Sequence, residues 1–75
     1  MAELLAYHYA EVEVATGLCL GVMTASSPES EEPNSSGTRY VLIPVYDPEY
    51  MLKYYIDGEW YEDAEGTIPW TSSML

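Results

Sequence analysis

The chain has 75 residues, 48% of them apolar, and 13 acidic side chains against two basic ones, for a formal net charge of −11. A chain of this length forms one domain, residues 1–75, burying only about 60% of its unfolded surface, and its apolar content excludes disorder throughout. The charge argues against nucleic acid and anionic membrane surfaces as partners, one Cys excludes an internal disulfide framework, and no run of about 18 apolar residues is present to span a bilayer.

The first residues carry Glu3 and no basic stretch, and His8 and Glu11 break the apolar run, so no secretory signal is expected. From Tyr7 to Val14 the pattern alternates, with Tyr9, Glu11 and Glu13 on one side and Ala10, Val12 and Val14 on the other, which predicts a half-buried first strand. Leu18 to Thr24 alternates as well, and Leu18, Leu20 and Val22 share a face. The connecting turn is chosen by register. A Thr16-Gly17 loop would set Glu13 against Leu20. A three-residue loop, Ala15 to Gly17 with Gly17 left-handed, sets Val14 against Leu18, Val12 against Leu20 and Ala10 against Val22, leaving Cys19, Gly21 and Met23 on the exposed face.

Residues 26–38 contain no apolar side chain beyond two prolines and predict a flexible acidic loop. Asn34-Ser35-Ser36 matches a glycosylation pattern, but without a secretory signal it reads as chance. Strand three is expected over Arg39 to Val45, with Val41, Ile43 and Val45 inward and Pro44 marking an edge or an end. Asp47 before Pro48 is a fair cap for one short helical turn. Asp57-Gly58, flanked by aromatic and β-branched residues, predicts a hairpin on a type I′ turn. Its register pairs Ile56 with Glu59, Tyr55 with Trp60, Tyr54 with Tyr61 and Lys53 with Glu62. A Tyr55 and Trp60 pair contributes roughly 0.2–1 kcal/mol over Ala–Ala. Beyond it, 62–66 reads as a solvated turn, Trp70 as a candidate to lie back over the sheet, and 71–75 as a frayed end. The fold class is therefore mainly β: a small antiparallel sheet of four or five strands, two hairpins plus a middle strand, with at most one helical turn.

Chemistry is sparse. A single His8 provides neither a zinc set nor a triad, and a dyad with Cys19 is disfavoured by a register that points the two apart. Asp57, Glu59, Glu62, Asp63 and Glu65 fit no calcium loop, and there is no phosphate-binding Gly loop and no nucleophile elbow. No enzyme activity, cofactor or metal is expected. Tyr54, Tyr55, Trp60 and Tyr61 are the candidate interaction face, read either as an aromatic platform for a sugar or peptide or as core. Uncovered sheet edges offer self-association as a second route.

The order of Tyr9-Ala10-Glu11-Val12, Leu18-Cys19-Leu20-Gly21-Val22, Ile43-Pro44-Val45-Tyr46-Asp47 and Tyr54-Tyr55-Ile56-Asp57-Gly58-Glu59-Trp60 resembles small proteins encoded in tail modules of phages and prophages of Gram-positive and gut bacteria. The likeness spans roughly residues 7–63. In that group a first hairpin leads to a loop, a strand ending in a Tyr-Asp turn, and a closing Asn-Gly or Asp-Gly hairpin bearing Trp. The Ser/Glu/Pro loop is longer here and the Trp70 tail is an addition. The resemblance implies an accessory or structural part of a virion tail, located in the bacterial cytoplasm or the virion, with a protein partner and no catalytic residues. Two alternatives stand beside it: an acidic inhibitor that mimics nucleic acid in a basic groove, and a small carbohydrate-binding module using the aromatic face.

Overall fold

In the computed structural model, which describes residues 6–75, five strands form two antiparallel sheets. Glu3, used above to argue against a secretory signal, lies outside the described residues. The strands are β1 (Tyr7–Glu13), β2 (Cys19–Ala25), β3 (Thr38–Ile43), β4 (Tyr54–Ile56) and β5 (Glu59–Tyr61), and the helical element is a 3-10 turn at Pro48–Tyr50. The chain is mainly β, as its alternation predicts. No described helix is long and apolar enough to cross a membrane.

The larger sheet runs β2-β1-β3, and the smaller pairs β4 with β5. The central strand β1 is covered on both sides at its middle. Ala10 and Val12 face the core with Cys19, Val41, Ile43 and Tyr50. Tyr9, expected on the exposed face, is also buried. The polar segment after β2 crosses that face, where the Glu29 N–H donates to the Tyr9 hydroxyl at 3.0 Å and the Tyr40 ring lies 6.1 Å away. A loop without apolar side chains can bury a tyrosine by offering its backbone.

The first hairpin departs from the expected register at one point. Ala10 pairs with Val22, as the alternation requires, but Val12 pairs with Cys19 and not with Leu20. A bulge at this point adds one residue to β2, and one added residue exchanges the faces of everything beyond it. Cys19 therefore points inward and Leu20 outward. The loop spans four residues, Val14 to Gly17, and not three: the Glu13 N–H donates to Leu18 O at 2.8 Å and the Gly17 N–H to Glu13 O at 2.7 Å. Gly17 does adopt the left-handed conformation, at φ 81°. Val14 consequently sits in the turn and is exposed, not inward.

The bulge leaves the Cys19 backbone groups turned away from β1, where the chain before β4 takes them up. Cys19 N–H donates to Lys53 O, Leu52 N–H to Cys19 O and Tyr55 N–H to Gly17 O, each at 2.8 Å. These three bonds join the two sheets. Strand β3 ends at Ile43, before Pro44, with Val41 and Ile43 inward as expected and Val45 beyond the strand. Asp47 caps the 3-10 turn, accepting from the Glu49 N–H at 2.9 Å, with Pro48 in its first turn. Its carboxylate also accepts the hydroxyl of Ser72, a buried residue within the stretch expected to fray. In the second hairpin Tyr54–Tyr61, Tyr55–Trp60 and Ile56–Glu59 pair as predicted. Asp57 at φ 50° and Gly58 at φ 82° supply the turn. Lys53 Nζ stands 3.9 Å from a Glu62 oxygen, an exposed contact worth little by itself.

Candidate functional site

The four aromatics singled out on β4 and β5 do not form one surface. Successive strand residues face opposite ways, so Tyr55 and Trp60 pack toward the core while Tyr54 and Tyr61 share the reverse face. All four are half-buried. The inward pair is part of a longer row. Tyr55 and Trp60 have ring centroids 5.0 Å apart, Trp60 and Tyr50 4.9 Å, and Tyr50 and Trp70 4.8 Å. Tilted and edge-to-face contacts at these distances are the favoured aromatic geometries.

Trp70 reaches the row because the chain turns back after β5. Asp63 holds that turn: its carboxylate accepts the Thr67 hydroxyl and the N–H groups of Thr67 at 2.9 Å and Ile68 at 3.0 Å. Led by the Thr67 hydroxyl, these donors hold the Asp63 carboxyl below the usual carboxylate range. Pro69 then bridges Tyr61, and the Trp70 N–H donates to Trp60 O at 3.0 Å.

Both basic side chains of the protein stand over this row. The Arg39 guanidinium lies 5.5 Å from the Tyr55 ring and the Lys53 ammonium 5.3 Å from the Trp70 ring. A cation over an aromatic face contributes about 0.5–1 kcal/mol at exposed sites. Arg39 also lines a groove of about 430 Å³ with Val14, Gly17, Tyr55 and Ile56. A second groove, of about 240 Å³, lies between Trp60, Trp70 and Ser72.

Tyr50, which the sequence reading left unmarked, is the centre of the row and is buried. The available signal was an aromatic placed one turn after an Asp-Pro cap. Burial first, and the Asp47 charge second, push its phenol above the ordinary value of 10.0. Its neutral form is thus favoured by folding. That contribution is complete below the unfolded value near pH 10 and is lost as pH rises through the higher folded value. An ultraviolet titration that follows Tyr50, with Tyr50→Phe as the blank, is expected to show it ionising above the ordinary phenol value, together with loss of the folded signal.

The bulge turns Cys19 onto the face that His8 shares, contrary to the expected register, but Cys19 pairs with Val12, four residues along β1 from His8, which pairs with Thr24, and each has its own partner. His8 Nδ1 is 2.9 Å from Thr24 Oγ1, and the Cys19 thiol donates to Gly21 O at 3.3 Å. Burial, aided by Glu11, pushes the Cys19 thiol up despite the Gly21 contact, the opposite of an activated nucleophile. Cys19 is expected to react with a thiol reagent at least a hundredfold more slowly in the native protein than in denaturant. Comparable rates would overturn its placement. Among the described residues no three His, Cys, Asp or Glu side chains gather in a way that would hold a metal.

No protein-family model matches this chain, and neither a curated protein nor a solved structure matches it significantly.

Proposed function

We propose that the protein is a non-enzymatic structural or interaction protein, a tail-associated part of a phage or prophage, working in the bacterial cytoplasm or the virion. The observation that carries the interaction reading is the unequal treatment of the two edges of the larger sheet. Along β3 the outward N–H groups at both ends are capped, with Leu42 donating to a Glu31 carboxylate oxygen and Thr38 to Asn34 Oδ1, each at 3.3 Å, and Thr38 O accepts the Asn34 N–H at 2.9 Å, while Tyr40 between them stays open among the described residues. Along β2, among the described residues, the capping stops at Cys19. Proteins that must stay single close their edges, and an edge left bare is a site for strand addition.

The two alternatives find less support. A nucleic-acid mimic displays free carboxylates, whereas Glu11, Glu13, Glu31, Asp47 and Asp63 accept internal hydrogen bonds and Glu62 faces Lys53. A sugar platform needs free ring faces, whereas Tyr55 carries Arg39 and Trp60 lies between Tyr50 and Tyr55. The tail assignment rests on the resemblance of residues 7–63 described above. Quantitative mass spectrometry of tail particles purified from the encoding bacterium after prophage induction tests it. The protein is expected in the particles at a fixed ratio to the other tail proteins. Its confinement to the particle-free lysate would overturn the assignment.

A further inference from the structure

Building on the interaction reading, we infer that the bare stretch of β2 pairs with the same stretch of a second copy of this chain, about a two-fold axis at Met23. The hydrogen-bond pattern identifies which groups are free. Cys19 turns its N–H and C=O away from β1, toward Lys53 and Leu52. Across the bulge, Gly21, Met23 and Ala25 pair with Glu11, Tyr9 and Tyr7, and Val22 and Thr24 with Ala10 and His8. The other edge of β1 fixes the phase. The Leu42 and Thr38 N–H groups point away from β1, so Val41 and Ile43 exchange bonds with Ala10 and His8. Ala10 and His8 therefore spend their backbone groups on β3, and their partners in β2, Val22 and Thr24, turn theirs outward. Among the described residues no backbone group outside the sheet bonds either of them.

The free stretch has a self-complementary length. Leu52 occupies the edge at Cys19, and β2 gives way to bends at Ser26 and Ser27. Residues 21–25 remain, symmetric about Met23. Antiparallel self-pairing there sets Val22 against Thr24 of the second copy, and Thr24 against its Val22, with two bonds in each pair, and brings the two Met23 side chains together across the axis. A partner strand continuing past Ala25 would run into Leu52, and the bend removes it. No Pro or charged side chain interrupts Cys19–Ala25, in a protein with 13 acidic residues. Two copies thus meet without placing carboxylates opposite each other in the ladder. Leu20 and Leu52, both exposed, flank the end of the stretch and add apolar surface. The result is a continuous six-stranded sheet.

Light scattering across dilution and salt, on the full chain and on two variants, tests this. The wild-type mass is expected at twice 8.4 kDa, with tighter association at high salt because screening weakens the repulsion between copies. Thr24→Pro removes an outward N–H that β1 does not use, and Met23→Glu places like charges at the axis. Each is expected to weaken association at least tenfold while leaving the circular dichroism spectrum unchanged. Oxidised Met23→Cys is expected to yield a covalent dimer in place of the weakened one. A monomer at every concentration and salt would overturn self-pairing, and so would a dimer that neither variant weakens. Either result leaves the interaction reading standing if the protein is found in tail particles. A β2-dependent dimer missing from the particles would overturn the tail assignment and keep the self-pairing.

Discussion

Gly17→Ala is expected to remove a large share of the protein's folding stability and to lower its urea midpoint well below that of wild type. Gly17 lies at φ 81°, and a Cβ added there would sit 2.4 Å from the Tyr55 carbonyl oxygen and 3.3 Å from its carbon. The obstacle is backbone, so no side-chain rotation relieves it. The left-handed conformation alone costs a non-glycine residue about 1–2 kcal/mol. Pushing Tyr55 away also breaks its N–H bond to Gly17 O, at about 1 kcal/mol more. A domain of this size has roughly 4–11 kcal/mol of stability, so the loss of about 3 kcal/mol is a large fraction of it. Gly37→Ala is the control, because Gly37 has φ 80° but nothing within 4 Å of an added Cβ. Urea melts of both variants separate conformation from collision. Equal midpoints would show that the junction between the sheets tolerates a methyl group.

Tyr50→Ala should be of similar severity for a different reason. The ring contacts Trp60 at 4.9 Å and Trp70 at 4.8 Å and closes the core cluster beneath the 3-10 turn. Removing a buried aromatic ring costs about 3–5 kcal/mol, part transfer energy and part cavity. Trp60 and Trp70 would lose the ring between them, so the near-ultraviolet circular dichroism of both indoles is expected to collapse with the melting midpoint. Tyr50→Phe keeps the ring and is expected to stay within about 1 kcal/mol of wild type. A Tyr50→Ala variant with an intact indole signal would place the centre of the core elsewhere.

The features legible before the structure share one property: they depend on a few adjacent residues. Asp57-Gly58 specifies its turn by allowed φ, and the turn length then specifies three cross-strand pairs. Asp47-Pro48 specifies a cap through one carboxylate and one N–H. The separation of Tyr54 and Tyr61 from Tyr55 and Trp60 follows from that register and strand alternation. The bulge at Leu20 does not. Residues 18–23 alternate apolar and small side chains in either phase, and the choice between Leu20 and Cys19 as the inward residue is made by Leu52 and Lys53, which claim the Cys19 backbone from more than thirty positions along the chain.

Short-range sterics and hydrogen bonding decide the mainly β class, the second hairpin with its register and the capped turn, so those are written in the chain itself, whereas Pro44 alone left an edge and a strand end equally open. Tertiary packing sets the burial of Tyr9 beneath a polar segment, and it gives Trp70, already a candidate to fold back, its place against Tyr50 at the end of the aromatic row. It also places Arg39 and Lys53 over the rings of that row, caps both ends of the β3 edge, and leaves β2 beyond Cys19 without a backbone partner on its outer side among the described residues. Each of these depends on which distant backbone group or ring arrives to satisfy a local one, and local alternation carries no record of that arrival.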